Sequence, residues 1–425
     1  MLDYKLTKFS NGLKVITAPL KNTRAMSILT LVGIGSRYEG ERENGIAHFV
    51  EHMVFKGTKK RPKTADIAKE LDAVGAQYNA FTGEEQTGFY VRAESSHFDL
   101  GLDILTDILN NSLFDLREIA KEKKVIIEEI NMRKDIPMVL VENTIKELLW
   151  TNHPLGRMIT GTKESVAQFN RPDFISFLKN HYQPQNMIVA VTGEGDHHEW
   201  LKKIQNYFKG EPGKPAKTFK KVGEKQKSPA VKVFYKETDQ AHFIIGFRSL
   251  KRTDKRHQIL QVLDVIMGNA MSSRLFNELR ERRGLCYYIS SDLANFIDNG
   301  FWGVSAGVDI KRIDEAIKVI LAEFTKLKSF GINNEELKRA QENLKGHLYI
   351  NLEESMDVAE FLAEQELFWH YIDDPDKVAA DWEKVSEKDI RDLATAIFRP
   401  ANLNLAIVGP FRDEKKFKKI LSSFA

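Results

Sequence analysis

Two histidines and a glutamate fall within five consecutive positions of the stretch GIAHFVEHMVFKGT, residues 45–58: His48, Glu51 and His52. On a helix, His48 and His52 stand one turn apart on one face, so both imidazoles reach a common ion, with Glu51 on an adjoining part of that face. A catalytic zinc takes about three protein ligands and keeps one position for water, so the pair needs a third donor from elsewhere in the chain. The segment EKKVIIEEINM offers Glu122, Glu128 and Glu129. Glu122 and Glu129 are seven residues apart, two helical turns, and share a face. The run Val125-Ile126-Ile127 marks that helix as partly buried, where a carboxylate without a partner is costly. The bland alternative is a solvated, salt-bridged helix carrying two histidines by chance.

The elements that must position these residues are legible in outline. MLDYKLTKFSNGLKVITAPL alternates as a strand pair around Asn11-Gly12, and a further strand is expected over 26–37. The opening motif lies on a helix, TADIAKELDAVG forms another with Thr64 as its cap, AQYNAFT and TGFYVRA alternate as strands, and a long helix is expected from 97 to about 134. YQPQNMIVAVTGEG and FRPANLNLAIVGPF align without gaps at an offset of 216, each followed by an amphipathic helix, so the chain reads as two copies of one fold. In the second copy, strands are expected near 231–248 and 285–308 and helices at 255–268, 311–329 and 334–370. A Lys-, Pro- and Gly-rich segment separates the copies, which sets a catalytic domain at 1–210, a linker at 211–229 and a metal-free homologous domain at 230–425. The fold class is therefore α+β, with two homologous domains that each pack helices on a mainly antiparallel sheet.

With 425 residues, two domains are the natural division. Basic and acidic residues number 63 and 60 for a net charge of +3, and no basic stripe with interleaved aromatics is present, so nucleic acid is not an expected partner. Cys286 is the single cysteine, which excludes an intramolecular disulfide. The amino terminus lacks the apolar core of a signal peptide, and no run approaches the ~18 apolar residues of a membrane span. A soluble cytoplasmic protein is the expectation.

HFVEHMVFKGT with VIIEEI downstream resembles the pitrilysin (insulinase) family of inverted-motif zinc peptidases, and within it the mitochondrial-processing-peptidase-like subgroup. The family pattern places a glutamate ligand 77 residues after the second histidine, and counting from His52 lands on Glu129. NGLKVI, VGIGSRYE, NAFTGEEQTGFY, HPLGRMITGT, KETDQAHFIIGF and SSRLFNELRERRGLCYYIS extend the resemblance over nearly the whole chain. It implies one Zn2+ per chain on His48, His52 and Glu129, with Glu51 as general base and Glu122 as the partner that orients the site. It also implies Asn79, Ala80 and Phe81 as substrate-binding positions on a free sheet edge, Ala80 through its backbone. Arg280 and Tyr287 match a pair that contacts substrate and stabilises developing charge. The implied activity is endoproteolysis of peptides or short unstructured polypeptides by a homodimer that encloses a chamber. The rival is a catalytically silent scaffold or partner subunit, since the fold also serves as non-enzymatic core subunits of a respiratory complex. One departure is the loop MGNAMSSR, where Asn269 and Ala270 stand at positions that are glycine-rich in relatives.

Overall fold

A computed structural model describes residues 2–21, 23–208, 213 and 218–424. The architecture is mixed α/β with two sheets, and the same topology occurs twice. In the first half, β1 (Lys5–Lys8) and β2 (Lys14–Pro19) form the antiparallel hairpin that the alternation around Asn11-Gly12 predicts. β3 (Ala25–Val32), β4 (Gln77–Thr82), β5 (Thr87–Glu94) and β6 (Met187–Gly193) complete a sheet of order β1-β2-β6-β3-β5-β4. The second half supplies β7 (Ala230–Tyr235), β8 (Gln240–Ser249), β9 (Cys286–Asn295), β10 (Gly300–Asp309) and β11 (Leu403–Gly409) in the order β7-β11-β8-β10-β9. Apart from β1 the two orders correspond strand for strand. All pairings are antiparallel except the matching β2–β6 and β7–β11.

The repeat offset of 216 holds in space as well. Helix Arg171–His181 and β6 recur as helix Glu387–Ile397 and β11, and helix Pro137–Leu149 recurs two to three residues out of step as Ser355–Phe368. The last two helices change sides. Val358, Ala359, Leu362 and Ala363 pack on Ile16, Leu29, Leu31 and Ile188 of the first sheet, all buried. Leu140, Val141 and Ile145 pack on Ile244, Ala406 and Val408 of the second. The compact units are therefore 1–131 with 157–220 and 349–375, and 132–156 with 221–348 and 376–425. They differ from the contiguous division read from the repeat by these two exchanged segments. Residues 211, 212 and 214–217 of the expected linker lie outside the described residues, and 218–229 hold no helix or strand.

Several element boundaries need correction. The strand expected over 26–37 ends at Val32; beyond it the chain turns into a 3-10 helix, Ser36–Tyr38, with Ser36 N on the Gly83 carbonyl at 3.1 Å. Thr64 is the first helical residue rather than the cap; Lys63 takes the cap position, with its N–H on the Asp66 carboxylate at 3.0 Å. The helix expected from 97 to 134 is two, Phe98–Asn110 and Leu116–Asp135, with Phe114 between them at φ +47. The span 334–370 likewise breaks into Asn334–Asn351 and Ser355–Phe368. Among the described residues no helix is long and apolar enough to cross a membrane.

Candidate metal centre

The motif occupies helix Ile46–Val54. Its start is set by Gly45, at φ +94 and so close to Gly161 that an added Cβ would meet the Cα of that residue at 2.8 Å. No side chain of the helix caps its first turn; Glu39 does so from outside. One Glu39 oxygen accepts from Gly45 N at 2.8 Å and the other from Ala47 N at 2.9 Å. Burial pushes the Glu39 carboxyl up to about 8 against the pull of these N–H donors. Ile46, Phe49, Val50, Met53 and Val54 enter the core, where Phe49 meets Phe174 with ring centroids 4.8 Å apart. A helix locked by that apolar stripe has its remaining face, with both imidazoles, directed at helix Leu116–Asp135.

There the donors converge. His48 Nε2 lies 3.5 Å and His52 Nε2 3.8 Å from Glu129 Oε2, and three ligand atoms of this trio fall within 4.8 Å of one another. Ligands at ~2.1 Å from a tetrahedral zinc stand about 3.4 Å apart, so the trio fits the ion with shifts of about an ångström. Among the described residues no other three His, Cys, Asp or Glu side chains are so placed. Of the three glutamates offered by the sequence, Glu128 is exposed and outside the cluster, while Glu122 supports it from behind. Glu122 Oε1 pairs with His52 Nδ1 at 2.9 Å, which leaves Nε2 as the ring nitrogen on the Glu129 side. Its other oxygen pairs with Lys56 Nζ at 2.8 Å. Burial raises the Glu122 pKa, but the hydrogen bonds from His52 and Lys56 outweigh it and hold the carboxyl below the ordinary glutamate value.

Glu51 projects from the same helix and accepts a hydrogen bond from Thr82 Oγ1, at the end of β4. β4 is an edge of its sheet. Tyr78 and Ala80 pack on the side of the motif helix, whereas Phe81 joins the cluster on the opposite face, its ring over Gly88. The N–H of Ala80 is not used by the ladder and donates to Asn79 Oδ1 at 2.9 Å. In the second unit Arg280 is exposed with its guanidinium 5.1 Å from the Phe276 ring centroid, and Tyr287, 77% exposed, stands near the start of β9. β9 is the edge that corresponds to β4. The residues that sequence reasoning missed are Glu39, Lys56 and Thr82; each lies inside a segment already singled out, and only its partner was not legible.

The sequence profile described as Insulinase (Peptidase family M16) matches residues 14–163, and the one described as Peptidase M16 inactive domain matches 168–344. A Streptomyces coelicolor protein named as an uncharacterized zinc protease is 32% identical over 96% of this chain and 90% of its own length. The Bacillus subtilis protein YmxG, named likewise, is 31% identical over 94% of this chain and 97% of its own. The crystal structure of a protease from Helicobacter pylori shares the fold, with a TM-score of 0.90 at 23% identity over 96% of this chain and 100% of that one.

Proposed function

The chain belongs to the insulinase family, peptidase family M16, and from that premise we propose that it is a zinc-dependent endopeptidase of peptides and short unstructured polypeptides. The observation that carries this reading is the meeting of His48, His52 and Glu129 from two separate helices beside a carboxylate, Glu51, held by a hydroxyl. His48, His52 and Glu129 would hold the ion, one per chain. Zinc on two neutral imidazoles and one carboxylate keeps a net charge near +1, and so supplies a Lewis acid that acidifies water and polarises a carbonyl. Glu51 takes the proton of the attacking water and returns it to the leaving amine, with Thr82 limiting its rotation. Asn79, Ala80 and Phe81 form the strand edge to which an extended substrate adds. That pairing reads main chain rather than side chains and favours broad specificity. Arg280 and Tyr287, both exposed, contact substrate and steady the charge that develops on the scissile carbonyl. Because one chain carries the zinc donors and this pair together, a homodimer around a chamber is self-sufficient.

The reading as a silent subunit draws on the inactive-domain profile, which covers 168–344 and none of the donor set. Zinc analysis with cleavage of a quenched peptide, with and without chelator, separates the two. Glu51→Gln is expected to retain one zinc and lose cleavage by about 10²–10⁴-fold. A wild type without zinc, or a Glu51→Gln variant that cleaves normally, overturns the proposal.

A further inference from the structure

We propose that Lys56 is a positioning residue of the metal centre, acting through Glu122 to fix the ring of His52. The inference rests on the zinc reading and extends it one residue outward. Lys56 lies four residues after His52, just beyond the end of helix Ile46–Val54, with its own N–H on the carbonyl of Met53 at 3.0 Å. From there Lys56 and His52 grip opposite oxygens of one carboxylate: Nζ to Oε2 at 2.8 Å and Nδ1 to Oε1 at 2.9 Å. A carboxylate held at one oxygen turns about its terminal torsion, which is broad; held at both, it has a single orientation. Glu122 is about 5% exposed, so water is a poor substitute for the ammonium. The carboxylate is thus pinned in the plane from which it receives Nδ1–H, and His52 Nε2 is left aimed at the Glu129 side.

Two physical effects of removing Lys56 have opposite signs. Deleting a cation near a divalent ion strengthens binding through charge alone. Releasing Glu122, and with it His52, weakens binding, as loss of partners behind the ligands typically does by 10–100-fold. The buried, two-point geometry makes the second effect the larger.

The test is zinc affinity, measured by competition with a chromophoric chelator, together with the visible absorption of the cobalt-substituted protein. Lys56→Met is expected to weaken zinc binding about tenfold and to alter the cobalt spectrum. Lys56→Arg, which keeps a donor and the charge, should stay within about threefold of wild type. Lys56→Gln serves if the methionine variant does not fold and should also weaken binding. In a Glu122→Gln background, Lys56→Met is expected to have little further effect. Wild-type or tighter affinity in Lys56→Met, or an undiminished effect without the Glu122 carboxylate, overturns the role of Lys56 while the zinc site stands. A wild type that binds no zinc overturns both.

Discussion

Glu39 joins a titrating group to the helix that carries His48 and His52. Its pKa is about 8 in the folded chain against 4.5 in the unfolded one, so between these values the native state holds a proton that the unfolded state has released. The stability this group contributes is complete below about 4.5 and is lost as pH rises through about 8. The difference in unfolding free energy between wild type and Glu39→Gln should therefore fall across that window, and a difference independent of pH would contradict the assignment. Arg61 presents a different balance. Its guanidinium, 3% exposed, reaches Asp107 at 3.0 Å, Glu70 at 2.7 Å and Asp103 at 2.6 Å, tying the loop after the motif helix to helix Phe98–Asn110. Arg61→Met leaves Asp107 buried without its cation and should cost about 3 kcal/mol or more in urea unfolding. A cost under about 1 kcal/mol would mean that water reaches the pair. No feature of local sequence announces either residue, because the side-chain partners lie 5 to 46 positions away.

At the scale of elements, bringing Glu129 to His48 and His52 needs two helices in the right phase. Periodicity joins 97–134 into one helix, yet the chain breaks at 111–115, and the Asp115 carboxylate accepts from Arg117 N at 2.8 Å to start the second. Asp115 followed by Glu118 is a helix-start signature that was available in the sequence. From that start Glu122 and Glu129 face the motif helix. β4 makes its own prediction. The ladder does not use the N–H of Ala80, so Ala80→Pro should leave the melting temperature nearly unchanged while raising KM for peptide cleavage about three- to tenfold, the worth of one lost hydrogen bond. An unchanged KM would remove β4 as the substrate edge.

For the whole molecule, the reciprocal exchange of helices Pro137–Leu149 and Ser355–Phe368 makes neither half of the chain independent. A fragment ending at residue 220 lacks the helix that covers Ile16, Leu29, Leu31 and Ile188. It is expected to bind a hydrophobic dye or aggregate, whereas full-length Leu362→Ala loses about 2–5 kcal/mol but stays folded. A soluble, dye-silent fragment with cooperative unfolding would show that the exchange is dispensable. Residue order carried the His48, Glu51 and His52 spacing, the doubled architecture and, through resemblance, the family and its choice of Glu129. The histidine spacing depends on contacts within one helix turn and the doubled architecture on self-similarity along the chain, both of which are written linearly, whereas Glu129 was reached through the family's pattern. Packing decided which sheet each exchanged helix covers, that Lys56 and His52 share one carboxylate, that Thr82 meets Glu51 and that Glu39 caps the motif helix. An apolar stripe records that a face is buried but not against what, because hydrophobic burial has no direction, and polar partners are chosen only once the elements are in place.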